Sequence, residues 1–150
     1  MDLSVSMPGG NSLSIDFQSL LQQYPYTILY FYPKDNTSGC SLEAQDFSSL
    51  YDIFLSLGIQ VFGISKDSHK SHCTFMEKYS LGFPLISDPE LVLHRYFSVL
   101  AEKSMYGKTY LGTVRSTYIL DVSGSIVYKR YNIKAKGHAQ DVLDRVKGHL

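Results

Sequence analysis

Tryptophan is absent from this 150-residue chain, cysteine occurs only twice and proline only five times. Two cysteines are too few for the disulfide framework of a small secreted domain, so stability must come from a packed core and the thiols are available for chemistry. Neither sign of charge is in surplus: 14 Lys+Arg stand against 14 Asp+Glu, with a pI near 7.0. That balance excludes the electrostatic footprint of a general nucleic-acid binder or of a protein held on anionic membranes. No apolar run approaches the roughly 18 residues that a membrane-spanning helix needs. The opening Met1-Asp2-Leu3-Ser4 lacks the basic-then-apolar pattern of a secretory leader, and the expectation is a cytoplasmic protein. Repeats, low-complexity tracts and charge blocks are missing too. A chain of this length suits one domain, 1–150, able to bury about 68–70% of its unfolded surface. What is plentiful is aromatic: 12 tyrosines and 8 phenylalanines.

Periodicity supplies the elements. Leu3–Val5 and Leu13–Ile15 alternate apolar and polar residues around Pro8-Gly9-Gly10-Asn11, the pattern of an N-terminal β-hairpin. Phe17 to Gln23 suits a short helical segment stopped by Pro25. Tyr26 to Tyr32 is a continuous apolar and aromatic run, as in a strand buried on both faces. Ala44, Phe47, Leu50, Tyr51, Phe54 and Leu57 recur three or four apart and predict a helix from about Cys40 to Gly58. A strand over 59–65, a helix from Asp67 or Ser68 to Tyr79 and a short strand over 83–86 follow, Pro84 favouring the start of that strand or an edge position. Pro89 suits the first position of a helix ending near Phe97, and 106–112 reads as a Gly- and Tyr-rich loop. Strands over 116–121 and 125–131 joined by Val122-Ser123-Gly124 form a hairpin, and a helix over 138–150 closes the chain. This order implies an α/β protein of thioredoxin-like fold, a mixed central sheet flanked by helices.

Cys40 falls where strand, loop and helix start meet. Unpaired N–H groups and the helix dipole at such a point favour a thiolate, the nucleophilic form of the residue. Pro33, Thr37 and Cys40 are spaced Pro-x3-Thr-x2-Cys. The spacing puts the Thr37 hydroxyl one turn before the sulfur, where it could accept from a bound substrate while donating its own proton to the sulfur. Pro33, lacking an N–H, would shield the sulfur from water.

The run Phe31-Tyr32-Pro33-Lys34-Asp35-Asn36-Thr37-Ser38-Gly39-Cys40-Ser41-Leu42-Glu43-Ala44-Gln45-Asp46-Phe47 resembles the active-site signature of the peroxiredoxins, and its lead-in and Glu-Ala sequence resemble the bacterioferritin-comigratory, or Q, subfamily. Ser87-Asp88-Pro89, Tyr106-Gly107-Lys108 and Arg115-Ser116-Thr117-Tyr118-Ile119-Leu120-Asp121 extend the similarity over nearly the whole chain in the same order. The resemblance implies a thiol peroxidase acting on hydrogen peroxide and organic hydroperoxides, with Cys40 as peroxidatic residue and no metal or other cofactor. It also implies that Arg115 is the active-site arginine and that thioredoxin or a related dithiol protein returns the electrons. A guanidinium suits that task because it stays charged and meets the negative charge developing on peroxide oxygens. Glu43, placed in the first turn of the Cys40 helix, is expected to orient Arg115 rather than touch the sulfur.

The pattern also departs from the subfamily. Many members carry a second cysteine five residues after the first, where this chain has Gln45, and Ser38 replaces a common proline. Cys73 is the one other thiol, on a helix where some relatives carry the resolving cysteine. It either condenses with a Cys40 sulfenic acid after local unwinding, or packs with Phe75 and Met76 while an external thiol resolves Cys40. His69 and Cys73 are four apart and share a helix face, yet no further ligand has the spacing a metal needs. Without a Cys-x-x-Cys pair the chain does not read as a disulfide reductase. A catalytically silent binding module would not need Pro33, Thr37, Cys40 and Arg115 together. Nothing advertises a large apolar patch, and a monomer is expected.

Overall fold

A computed structural model describes residues 1–149; the expected end of the last helix at Leu150 lies outside the described residues. Strands β1 (Asp2–Ser6) and β2 (Ser12–Asp16) form the expected hairpin, followed by α1 (Phe17–Leu21), β3 (Tyr26–Phe31), α2 (Ser38–Ser56) and β4 (Ile59–Ser65). Then come α3 (His69–Tyr79), β5 (Leu85–Ser87), α4 (Val92–Tyr96), β6 (Leu100–Met105), β7 (Lys108–Thr113), β8 (Ser116–Asp121), β9 (Ile126–Arg130) and α5 (His138–His149). The seven-stranded sheet runs β2-β1-β5-β4-β3-β8-β9. Its centre is parallel, β3 with β4 and β4 with β5, and antiparallel strands close both sides.

Strand β3 sits mid-sheet because its side chains are apolar on both faces. Ile28, Tyr30 and Tyr32 face one core with Phe47 and Phe54 of α2, Phe75 of α3 and Val142 of α5. Leu29 and Phe31 face the other, with Leu20 of α1, Leu93 of α4 and Phe97. The first core is anchored by Tyr30 stacked on Phe47, ring centroids 4.4 Å apart and planes at 11°, a geometry worth about 0.5–1.5 kcal/mol beyond burial. The mixed sheet with helices on both faces is the thioredoxin-like arrangement expected.

Several boundaries differ from expectation. Helix α2 begins at Ser38, so Cys40 lies inside its first turn and Glu43 falls beyond that turn. Strand β5 lies between β1 and β4, so Pro84 does not mark an edge; it precedes the strand and its carbonyl accepts from the Gly63 N–H at 3.4 Å. Pro89 does not open a helix. Asp88 caps α4 from further back, its carboxylate accepting from the Leu93 and His94 N–H groups at 3.2 and 2.9 Å. The stretch read as a loop over 106–112 is mostly strand β7, paired with β6 through a two-residue turn. Tyr106 and Gly107, at φ 52° and 77°, both take the left-handed conformation such hairpin turns demand. Met105, Tyr106, Tyr110 and Leu111 are exposed on this hairpin.

At the base of α5, His138 is buried with Nε2 2.6 Å from the Thr117 hydroxyl. Burial first, then repulsion from Arg130 and Arg115, pushes its pKa down to about 4. The unfolded chain therefore binds a proton here that the folded one refuses, and stability falls as pH drops from about 6.5 towards 4. Chemical unfolding should show this acid loss in the wild type and a smaller loss in His138→Gln; parallel stability curves for the two would contradict the assignment.

Candidate active site

The antiparallel register of β3 and β8 pairs Phe31 with Ser116. The residues just past that pair, Tyr32 and Pro33 on one strand and Arg115 on the other, therefore emerge at the same end of the sheet. That is the end where the 33–37 loop delivers the first turn of α2. Sequence positions 75 residues apart meet here: an Arg115 Nη2 donates to the Cys40 Sγ at 3.1 Å. The Ile133 N–H donates to the Arg115 carbonyl at 2.9 Å and fixes the backbone of the arginine.

The other arm of the guanidinium is held from below. Arg115 Nη1 donates to Glu43 Oε1 at 2.5 Å, while Oε2 has no partner among the described residues. Glu43 is wholly buried, and burial pushes its pKa up to about 7 against the pull of Arg115. Arg115 itself is pushed above its ordinary value: its own burial opposes this, but the charges of Glu43 and Cys40 outweigh it. Glu43 contacts the arginine through Oε1.

Cys40 is 2% exposed, and its sulfur accepts from a cationic donor. Such a donor stabilises negative charge on sulfur more strongly here than it would in water. Pro33 is half-buried and lines an open depression of about 380 Å³ with Val114, Arg115 and Tyr131. Thr37 occupies the N-cap position with extended backbone, φ −97° and ψ 156°. Its hydroxyl donates to the Lys34 carbonyl at 3.0 Å rather than to Cys40, because the loop leaves that carbonyl free to take the proton.

Residues absent from the expected site hold the loop. Asp35, buried, accepts from the Tyr32 hydroxyl at 2.6 Å and the Ser71 hydroxyl at 2.8 Å, and meets His72 Nδ1 at 2.7 Å. The Asp35 N–H donates to Asp67 Oδ2 at 2.8 Å. Asp35 was visible in the signature, but nothing in the sequence linked it to a histidine 37 positions on.

Cys73 is not beside Cys40. It lies on α3, half-buried, with Sγ 3.4 Å from His69 Nε2 and 3.8 Å from the Gly10 carbonyl of the β1–β2 turn. Both thiols are free.

A family model described as the AhpC/TSA family matches residues 4–129. Peroxiredoxin Bcp of Xanthomonas campestris is 41% identical over 150 residues, covering 99% of this chain and 90% of that one. Two solved forms of X. campestris peroxiredoxin Q, each with a different cysteine replaced by serine, superpose with TM-scores of 0.89 and 0.86. They are 38% and 39% identical, covering 99% and 100% of this chain and 90% and 92% of theirs. Similarity of sequence and of structure thus runs through the same stretch that brings Cys40 to Arg115, and the chain belongs to the AhpC/TSA family, among the peroxiredoxins of the Bcp, or Q, type.

Proposed function

We propose that the chain is a thiol peroxidase that reduces hydrogen peroxide and organic hydroperoxides at Cys40. The observation that supports this most is the Arg115 guanidinium, 3.1 Å from the Cys40 sulfur and clamped on its far side by Glu43. The Cys40 thiolate attacks the outer peroxide oxygen, the O–O bond breaks, and the remaining oxygen leaves as water or an alcohol once protonated. Cys40 becomes a sulfenic acid. Arg115 donates to the sulfur before attack and to the peroxide oxygens as charge develops on them. This is stabilisation by a donor already in place. Thr37, its own proton on Lys34, keeps its oxygen free to accept from the hydroperoxide O–H. Pro33 and Val114 give the depression an apolar wall suited to the carbon end of an organic peroxide. The X. campestris bacterioferritin comigratory protein is described by its alkyl peroxide reduction activity.

Cys73 resolves the sulfenic acid in this reading, giving an intramolecular disulfide that thioredoxin or a related dithiol protein reduces. Its sulfur is engaged with His69 and Gly10, so the first turn of α2 and part of α3 must unwind for the two to meet. A second reading, an external resolving thiol, has one observation in its favour. Cys40 and Cys73 are three positions closer in sequence than the two cysteines replaced in the X. campestris protein, and at that wider separation this chain has Met76, which is buried in the core.

Peroxide consumption with a dithiol reductant tests the central role. Cys40→Ser abolishes it, and Arg115→Gln lowers the rate of Cys40 oxidation by about 10²–10³-fold; a loss under threefold would refute the role given to Arg115. Arg115→Lys recovers only part, since an ammonium cannot span sulfur and carboxylate together.

Glu43 generates a pH effect. Its folded pKa is raised to about 7 from 4.5, so its contribution to stability is complete below about pH 4.5 and fades as pH rises through 7. Glu43→Gln should therefore gain stability relative to wild type between pH 5 and 8 in urea unfolding, while losing about 10-fold in oxidation rate through a looser Arg115. A stability difference independent of pH would contradict the buried ionisation.

Intact mass after one equivalent of peroxide separates the two fates of Cys40. A loss of two hydrogens, absent in Cys73→Ser, supports the disulfide; persistent sulfenic or sulfinic adducts in the wild type favour the external thiol.

A further inference from the structure

The loop that leads into the Cys40 helix is tied to both ends of α3 by two consecutive residues. At the N-terminal end, Asp35 Oδ2 accepts from the Ser71 hydroxyl at 2.8 Å and meets His72 Nδ1 at 2.7 Å. His72 is wholly buried, and its Nε2 donates to the Ile86 carbonyl of β5 at 3.2 Å, so the ring cannot turn without losing both partners. At the C-terminal end, Asn36 Oδ1 accepts from Lys78 Nζ at 3.0 Å and from the Tyr79 hydroxyl at 3.2 Å. These last two bonds are exposed and hold the loop only weakly. One position beyond Asn36, the Thr37 carbonyl accepts from the Ser41 N–H at 2.8 Å and closes the first turn of α2. The Ser68 carbonyl does the same for α3, accepting from the His72 N–H at 2.9 Å. The peroxide reduction proposed at Cys40 uses none of the bonds to α3.

We propose that Asp35 is a positioning residue that makes the opening of the two cysteine-bearing helices one event, so that the first turn of α3 does not unwind without releasing the first turn of α2. This rests on the reading of Cys73 as the resolving thiol. Ser71 and His72 immediately precede Cys73, and unwinding α3 far enough to free Cys73 takes both away from Asp35. The residue is 5% exposed. What remains beside it is the Tyr32 hydroxyl and a second carboxylate, Asp67, whose Oδ2 accepts from the Asp35 N–H. A buried carboxylate short of donors and next to a like charge is unfavourable where it stands. It moves to water, and the loop that carries it takes Thr37 along, which opens the turn that holds Cys40. Closed, the tie keeps Cys40 under Arg115 for attack on peroxide; open, it frees both sulfurs for the disulfide.

The test is amide hydrogen exchange on the reduced full chain, read at the Ser41 and His72 N–H groups. Ser71→Ala removes one bond of the tie from the α3 side. Alanine is the better helix former, so an effect confined to α3 would slow exchange at His72 and leave Ser41 unchanged. The proposal expects the opposite: exchange about 10-fold faster at both amides. Asp35→Asn, which weakens the tie from the loop side, should accelerate both as well. Acceleration of one amide without the other, in either variant, would overturn the proposal. So would exchange at either amide no faster than at the Ile28 N–H in the middle of β3, which reports unfolding of the whole molecule. After one equivalent of peroxide, Ser71→Ala should form the disulfide about 10-fold faster than the parent, and formation no faster would also overturn it. If the parent forms no disulfide, the resolving role of Cys73 falls, and the paired exchange rates still decide whether Asp35 couples the two helices.

Discussion

A buried carboxylate has to be matched by a cation, and in this molecule that requirement joins the two halves of the site. Glu43 projects from α2 into the core, where it is wholly buried and pairs with one guanidinium. Removing Arg115 would leave a charge whose burial without a partner is costly. Arg115 is thus held by the carboxylate through Nη1, and its Nη2 donates to Cys40. The clamp works only if α2 packs against the sheet and β8 pairs with β3 in the observed register. Slipping that register by one residue would send Arg115 to the opposite face. Fold and site depend on the same alignment.

The second constraint is the buried network around Asp35. It ties the loop that presents Cys40 to the first turns of the helix that carries Cys73, through Ser71 and His72. Tyr32, at the end of β3, closes it from the sheet side. Both cysteine-bearing helices are therefore referenced to a single carboxylate. Networks of this kind are rigid when complete and weak when one member leaves. Unwinding the start of α3 removes two of the Asp35 partners together, so the structure has a defined place at which to open if the two sulfurs are to meet.

Much of this was legible in the sequence where local pattern and chemistry coincide. The apolar run of β3, the periodicity of α2 and the turn residues of the N-terminal hairpin each specify one element. The match over 31–47 marked Cys40, and the segment after Arg115 marked its partner. Reading failed where tertiary context overrode local signals. Strands β6 and β7 are polar and exposed, with tyrosine at a left-handed turn position, so neither alternation nor an Asn-Gly turn marked the hairpin. Pro89 suited a helix start, but the Asp88 carboxylate caps the helix three residues further on. The Asp35–His72 pair and the contact of Ser6 with His69 were invisible because each joins distant segments through the packing of α3 on the sheet. His69 and Cys73 were visible as a shared face, and the structure adds a hydroxyl from β1, Ser6 Oγ, 2.6 Å from His69 Nδ1.

Taken together, the two sulfurs have opposite surroundings. Cys40 is buried under a fixed cation, whereas Cys73 is half-exposed beside an imidazole and an open cavity. That contrast is the physical basis for assigning attack on peroxide to the first. It is tested most directly by trapping the initial product: oxidation with substoichiometric hydrogen peroxide in the presence of dimedone, followed by peptide mass spectrometry. The account predicts the adduct on Cys40 with Cys73 unmodified; an adduct on Cys73 with Cys40 intact would contradict it.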